Sequence, residues 1–339
     1  MKKINLIILT LLLIIITHTG CKINKSEPIS DEEYYLDTVC QISIYDMKDG
    51  VNKKKAKSAI DDAFDLCRKL DKTLSNTVEV SDISKINQAS GNWVTVSDDT
   101  INVIKAGIEY GKLSDGAFDI TIGGVTSLWD FHSDNPRLPD ETELQEALKH
   151  VNYKNIEIDG NRVRMKDPLS KIDLGGIAKG YIGDRMADRL KKLGVNSAIV
   201  NLGGNIITIG GKPGANRFVI GIEKPYSDRT ETIGNVKVKD KSVVTSGVYE
   251  RQFEKDGVIY YHVLDAKTGY PVKTDMDSVS LVLEYGHSMD ADALSTICLM
   301  KGSDAALKYI NERDDITGAL YLSNGKILES KGMKLDKKM

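Results

Sequence analysis

Asp292 and Thr296 stand four residues apart in the run Ala291-Asp-Ala-Leu-Ser-Thr296. On a helix that spacing turns a carboxylate and a hydroxyl the same way. Hard oxygen donors of this kind suit Mg2+, which keeps part of its water shell and bridges to substrate phosphates. An Asp close to a helix start also serves simply as a cap. A second constellation is Asp173-Leu-Gly-Gly-Ile-Ala-Lys179-Gly180, where a short acidic side chain and two glycines run into a helix whose N-terminus could face an anion. It has neither the G-x-G-x-x-G order after a strand nor the phosphate-loop spacing, so Rossmann and Walker sites are not expected. Glycine pairs recur at 123–124, 175–176, 203–204 and 210–211, three of them shortly after Asp119, Asp173 or Asn201. Residues without Cβ let main-chain N–H groups approach a phosphate or a flat ring. Thr245-Ser-Gly247 and the later run Ile259-Tyr-Tyr-His-Val-Leu-Asp265 form a third group. Among His132, His150, His262 and His287, only His262 lies centrally in a strand pattern beside polar residues. Next to a phosphate and a hydroxyl it would serve as a general base.

These residues need elements to position them. Val39–Tyr45 reads as a strand from its β-branched character and alternation. Apolar positions three or four apart predict a helix over Lys54–Leu74, and a second over Asp99–Tyr110 with Asp98 or Asp99 as its N-cap. A third helix begins at Asp140, with Glu143 at capping-box distance. Ile156–Ile158 and Val163–Met165 flank Asp159-Gly-Asn161 as a hairpin. A helix over Ile177–Leu193 stops at Gly194. Short β-rich runs follow at Ala198–Asn201, Ile206–Ile209, Phe218–Ile222, Val236–Val238, Ile259–Leu264 and Ser278–Leu283. Helices over Met289–Met300 and Ser303–Asn311 precede a hairpin turning at Asn324-Gly325. Clustered strands without regular βα alternation predict an α+β fold: mixed, mostly antiparallel sheets with flanking helices in one large domain.

The 339 residues are 41% apolar and 28% charged, with formal charge −3. That mixture builds a core, and it carries no excess of Lys and Arg for nucleic acid. Lys2 and Lys3 precede an apolar run from Ile4 to Ile16, the length of a signal-peptide core and short for a bilayer span. Thr17-His-Thr-Gly-Cys21 then resembles a bacterial lipoprotein cleavage site, with Cys21 lipidated as the mature N-terminus; an uncleaved anchor is the alternative. Either way the protein is expected on the extracytoplasmic face of a membrane. Losing residues 1–20 takes Lys2 and Lys3 and moves the formal charge from −3 to −5. Residues 21–33 are expected to be a tether, 34–330 the catalytic domain and 331–339 a solvated basic tail. Cys40, Cys67 and Cys298 are expected to be buried thiols, outside any disulfide framework or zinc site.

Taken together these stretches resemble the ApbE family of FAD:protein FMN transferases. The runs that carry the resemblance begin with Ser114-Asp-Gly-Ala-Phe-Asp-Ile-Thr-Ile-Gly123 and Leu128-Trp129. They continue with Asp173-Leu-Gly-Gly-Ile-Ala-Lys-Gly-Tyr181, Val200-Asn-Leu-Gly-Gly-Asn205 and Thr245-Ser-Gly247. His262-Val-Leu-Asp-Ala-Lys-Thr-Gly-Tyr-Pro271 and Ala291–Thr296 complete them, in order from about Thr38 to Gly302. The resemblance implies Mg2+-dependent transfer of the FMN half of FAD to a Ser or Thr hydroxyl of a target flavoprotein, with a phosphoester formed and AMP released. It implies Asp292, Thr296 and the Gly176 carbonyl as metal ligands. It implies Leu36, Ala117, Phe118, Asp119, Asp173, Lys179 and Leu264 as FAD contacts. His262 is the best base candidate, an Asp near the metal being the other. The chain departs from the family pattern at Asp37, where Gly is usual, and at Asn76-Thr77, where an aromatic often follows Leu-Ser.

The same residues would serve a Mg2+-dependent FAD pyrophosphatase, in which water replaces the acceptor hydroxyl. A non-catalytic FAD-binding lipoprotein is the alternative of another class, and it has little use for Asp292 and Thr296 as a pair. A solute receptor would need two similar α/β lobes, which the pattern lacks.

Overall fold

Strand residues alternate faces, so one run can serve two different cores. The central sheet of this protein uses that property throughout. The computed structural model describes residues 27–131, 136–227 and 230–337. Eight strands form the main sheet: β1 (Ile29–Tyr35), β2 (Thr38–Met47), β6 (Val195–Leu202), β7 (Asn205–Ile209), β10 (Lys241–Gly247), β13 (Met276–Glu284), β14 (Thr317–Leu322) and β15 (Ile327–Glu329). Their order is β1-β2-β6-β7-β10-β13-β14-β15, and every neighbouring pair is antiparallel. Ala198, Val200, Ile207, Val244 and Leu281 point to one face and the large core. Ile199, Ile206, Val243 and Val282 point to the other.

Helices cover the first face. α1 (Lys53–Leu74) buries Ala56, Ile60, Phe64, Cys67, Leu70 and Leu74, and Asn52 caps it by accepting from Lys54 and Lys55 N–H. α6 (Ala178–Lys192) lies between α1 and α7 (Ser288–Lys301), and α7 packs directly on β10 and β13. α7 is buried on almost every side, as a helix between a sheet and its neighbours must be. α8 (Ser303–Asn311) closes the edge beside β14. The second face is covered by the hairpin of β8 (Phe218–Glu223) and β9 (Thr232–Val238), through Phe218, Ile220, Ile222, Val236 and Val238.

Three smaller pieces sit beside this frame. α2 (Asp82–Gln88) and α3 (Asp98–Leu113) flank a three-stranded sheet of β3 (Val94–Thr95), β4 (Ile156–Asp159) and β5 (Arg162–Met165). α4 (Gly123–Trp129) and α5 (Glu141–Leu148) pack on the hairpin of β11 (Gln252–Lys255) and β12 (Val258–Tyr261) around Trp129 and Leu264. The α+β expectation therefore holds, with mostly antiparallel sheets and flanking helices.

Several local expectations are corrected. Residues Ile29–Glu33, read as tether, belong to β1 and pair in full register with β2. The C-terminal segment is no solvated tail: Met333 is buried, and Asp336 exchanges two backbone hydrogen bonds with Asn235 of β9. Ser97, not Asp98 or Asp99, caps α3, its side chain accepting from Thr100 N–H. The strand expected over Ile259–Leu264 ends at Tyr261, which leaves His262 in the loop beyond it. Residues 1–20 and Cys21, on which the leader and lipid expectations fall, lie outside the described residues. Among the described residues no helix is long and apolar enough to cross a membrane. Cys40, Cys67 and Cys298 are buried free thiols, and the first two meet between β2 and α1.

Candidate active site

The N-terminus of α6 meets the start of α7 through a glycine. A methyl group on Gly180 would overlap the Ser288 carbonyl, so glycine is what allows the two helices to touch there. The approach brings the Gly180 N–H within 2.9 Å of Asp292 Oδ2, to which it donates. Asp292 is only 3% exposed. Burial pushes its carboxyl above the usual range, and the Lys179 ammonium and the Gly180 N–H oppose that shift. The positive end of α6 and the Lys179 ammonium thus compensate the buried carboxylate.

Hydroxyl groups line the adjoining turn of α7. Thr296 Oγ1 donates to the Asp292 carbonyl at 3.3 Å and lies 3.5 Å from Ser246 Oγ of β10. Ser246 and Ser295 share a hydrogen bond of 2.7 Å, and Ser295 donates to the Asp292 carbonyl at 3.0 Å. The sequence grouped Thr245-Ser-Gly247 with the run around His262; β10 brings it against α7. Asn205, at the start of β7, turns its amide toward the same carboxylate. Neither its nitrogen nor its oxygen closes a hydrogen bond, although the residue is fully buried. No role was expected for Asn205, although it ends the Val200–Asn205 run that carries the family resemblance.

The expected FAD contacts divide into two kinds. Lys179 is half-buried and forms no ion pair among the described residues, leaving its charge to the site. Asp173 is held at the glycine turn: its Oδ1 accepts from Gly175 N–H at 2.8 Å, and its Oδ2 from Thr126 Oγ1 at 2.7 Å. Gly176 follows, and its Cα backs onto the ring of Phe118. Phe118 is buried and meets Tyr110 edge-on, so its side chain supports the turn from below. Asp119 is also buried, accepting from Thr121 N–H, Thr121 Oγ1 and Tyr153 N–H, all within 2.8 Å. Its carboxylate holds the turn through these three bonds. A cleft of about 390 Å³ lies outside this turn, lined by Asp115, Asp119, Lys154 and Lys267. Leu264 is buried in the cluster around Trp129 and Leu144.

Leu36 and Asp37 form the two-residue turn between β1 and β2, both with φ +55°. That is the region glycine prefers and Asp tolerates, so the turn accepts the Asp it carries. The Asp37 carboxylate pairs with Arg251 at 3.4 Å. The Arg251 carbonyl in turn receives the His262 N–H at 3.1 Å and lies 3.3 Å from His262 Nδ1. The first hairpin, the loop before β11 and His262 are thereby tied together. The glycine pairs also separate: Gly123 N–H donates to the Lys171 carbonyl at 2.9 Å, a packing contact, whereas Gly175-Gly176 and Gly203-Gly204 frame the site.

Among the described residues no three His, Cys, Asp or Glu side chains converge as a metal cage. The oxygen set that the resemblance implies, Asp292, Thr296 and the Gly176 carbonyl, contains one carboxylate. It fits an ion that completes its shell with water and phosphate oxygens.

The ApbE family model matches residues 36–320. The FAD:protein FMN transferase of Klebsiella pneumoniae (strain 342) is 32% identical over 275 residues, which cover 80% of this chain and 84% of that protein. The protein of the same name from Treponema pallidum (strain Nichols) is 30% identical over 320 residues, covering 90% and 87%. Among solved structures, the ApbE protein of Thermotoga maritima MSB8 superposes with a TM-score of 0.83 at 34% identity, covering 92% of this chain and all of that one. The family model spans most of the chain, and these relatives are matched over most of their own length: this chain is a member of the ApbE family.

Proposed function

We propose that this protein is a Mg2+-dependent FAD:protein FMN transferase that moves the FMN half of FAD onto a Ser or Thr hydroxyl of an acceptor protein. The observation that carries the proposal is Asp292. It is a carboxylate buried to 3% exposure, held by the Gly180 N–H at 2.9 Å and faced by Lys179, with the Thr296 hydroxyl one turn along the same helix. The names of the family relatives support FAD as the donor and a protein as the acceptor.

Asp292, Thr296 and the Gly176 carbonyl are the residues that would hold Mg2+, which when bound supplies positive charge to the pyrophosphate as negative charge builds there. Lys179 and the first amides of α6 add charge of the same sign from the protein itself. The turn at Asp173–Gly176, backed by Phe118, shapes the wall against which FAD is oriented for in-line attack. The acceptor oxygen bonds to the FMN phosphorus as the bond to the AMP oxygen breaks, and the hydroxyl proton passes to a base. His262 is the residue proposed for that role, and its Nδ1 contact with the Arg251 carbonyl orients the ring. We place the enzyme on the extracytoplasmic face, tethered through Cys21, where it would mature electron-transfer flavoproteins.

The test is to incubate the protein with FAD, Mg2+ and a target domain bearing a Ser/Thr acceptor motif, then read the target's mass. A gain equal to FMN, abolished by Asp292→Ala, is expected. Free FMN with an unmodified target would make the protein a pyrophosphatase. Intact FAD would make it a carrier.

A further inference from the structure

A buried amide with no partner is expensive: an unsatisfied donor or acceptor typically costs about 1–3 kcal/mol. Asn205 carries both, with 0% exposure and neither Nδ2 nor Oδ1 hydrogen-bonded. Its backbone cannot turn the side chain away. Asn205 opens β7 immediately after Gly203 and Gly204, both at positive φ, and is paired with Leu202 on one side and Val244 on the other. The amide is therefore held facing Asp292, whose Oδ2 already accepts from Gly180. Asn205 shares its face of the sheet with Ile207 and the large core, the face that α7 covers.

We propose that Asn205 is a positioning residue for Asp292 in the cation-loaded site. Its Nδ2 donates to the carboxylate oxygen that Gly180 leaves open, and its Oδ1 accepts from water held by the divalent cation. The carboxylate is then gripped from two elements, α6 and β7, and its rotation about χ2 is stopped. Partners that orient a metal ligand in this way commonly change metal affinity 10–100-fold when removed. The inference rests on Asp292 being a metal ligand, and the experiment separates the two claims.

The probe is Mn2+ alone, titrated into the intact chain with the free ion followed by electron paramagnetic resonance. Asn205→Leu keeps the volume and removes both polar atoms, and its Mn2+ dissociation constant is expected to rise 10–100-fold while the melting curve stays cooperative. Asn205→Ser leaves a short hydroxyl and room for a water, and is expected to lose about half as much on a logarithmic scale. Asn201→Ala removes the Asn201 Oδ1 that accepts from Gly204 N–H in the same turn, and is expected to bind Mn2+ as the wild type does. Wild-type affinity in Asn205→Leu overturns the proposal, as does an equal loss in Asn201→Ala, which would place the effect in the loop. Should Asn205→Leu fail to fold, wild-type affinity in Asn205→Ser overturns it instead. Mn2+ binding that survives Asp292→Ala removes the metal site itself and this inference with it. Binding lost in Asp292→Ala but retained in Asn205→Leu removes the inference alone.

Discussion

Asp184 shows how a residue outside the chemistry controls the helix that carries it. It lies on α6, and its two carboxylate oxygens accept from the Ser288 and Met289 N–H groups at 3.1 and 3.0 Å, capping the start of α7 from another element. Burial pushes its carboxyl up to about 6 despite those bonds. The folded chain thus holds the proton more tightly than the unfolded chain, whose carboxyl titrates near 4. Ionised Asp184 burdens the folded state in full above pH 6, and the burden is relieved as pH falls from 6 toward 4. We expect the stability of the wild type, measured by urea unfolding relative to Asp184→Asn, to improve between pH 7 and pH 5 by about 1 kcal/mol. A difference independent of pH would refute the assignment. The residue was invisible in the sequence because its partners lie more than a hundred positions away.

The α6–α7 crossing is the unit that makes the site. α6 was legible as a helix ending before Gly194, and α7 from the run around Asp292, but nothing in either run says that they touch. Gly180 decides it, since a Cβ there meets the Ser288 backbone, which cannot move aside as a flexible side chain would. Gly180→Ala is expected to force the helices apart at a cost of about 1–3 kcal/mol. It should also lengthen the bond from residue 180 N–H to Asp292, so thermal melting and Mn2+ affinity should fall together. A variant with unchanged affinity would show that the crossing does not set the carboxylate. His262 illustrates the opposite case. Its alternating neighbours read as strand, yet pairing with β11 ends at Tyr261, where the chain turns toward the cluster around Trp129.

Across the whole molecule, the sheet separates two jobs. The face under α1, α6 and α7 holds the site, and the face under β8 and β9 holds a second apolar core. The C-terminal segment closes that second core: Met333 is 7% exposed, Leu335 packs beside it, and Asp336 pairs with Asn235. Ending the chain at Ser330 should cost at least the burial of one large apolar side chain, about 1.5–3 kcal/mol. FAD turnover at low temperature should persist, because the sheet stands between the segment and Asp292. Measuring melting temperature and turnover on the truncated chain tests both halves; activity lost from a folded chain would show that the two faces are coupled.

What the sequence determined by itself was local in origin. Periodicity marked α1, α6, α7 and most sheet strands, and the spacing of Asp292 and Thr296 placed two donors on one face, because side-chain direction in a helix follows from residue number alone. The run from Asp173 to Tyr181 and its fellows were enough to indicate the family. Which groups meet was decided by tertiary structure. Asp119 and Phe118 meet Tyr153 and Gly176 across the fold, and Asn205 came to face Asp292 because β7 lies under α7. Residues 29–33 and 331–336 looked like solvated polar ends because hydrophilic composition says nothing of backbone pairing. An edge strand needs only main-chain hydrogen bonds and a few apolar contacts, and its partners are supplied by the fold.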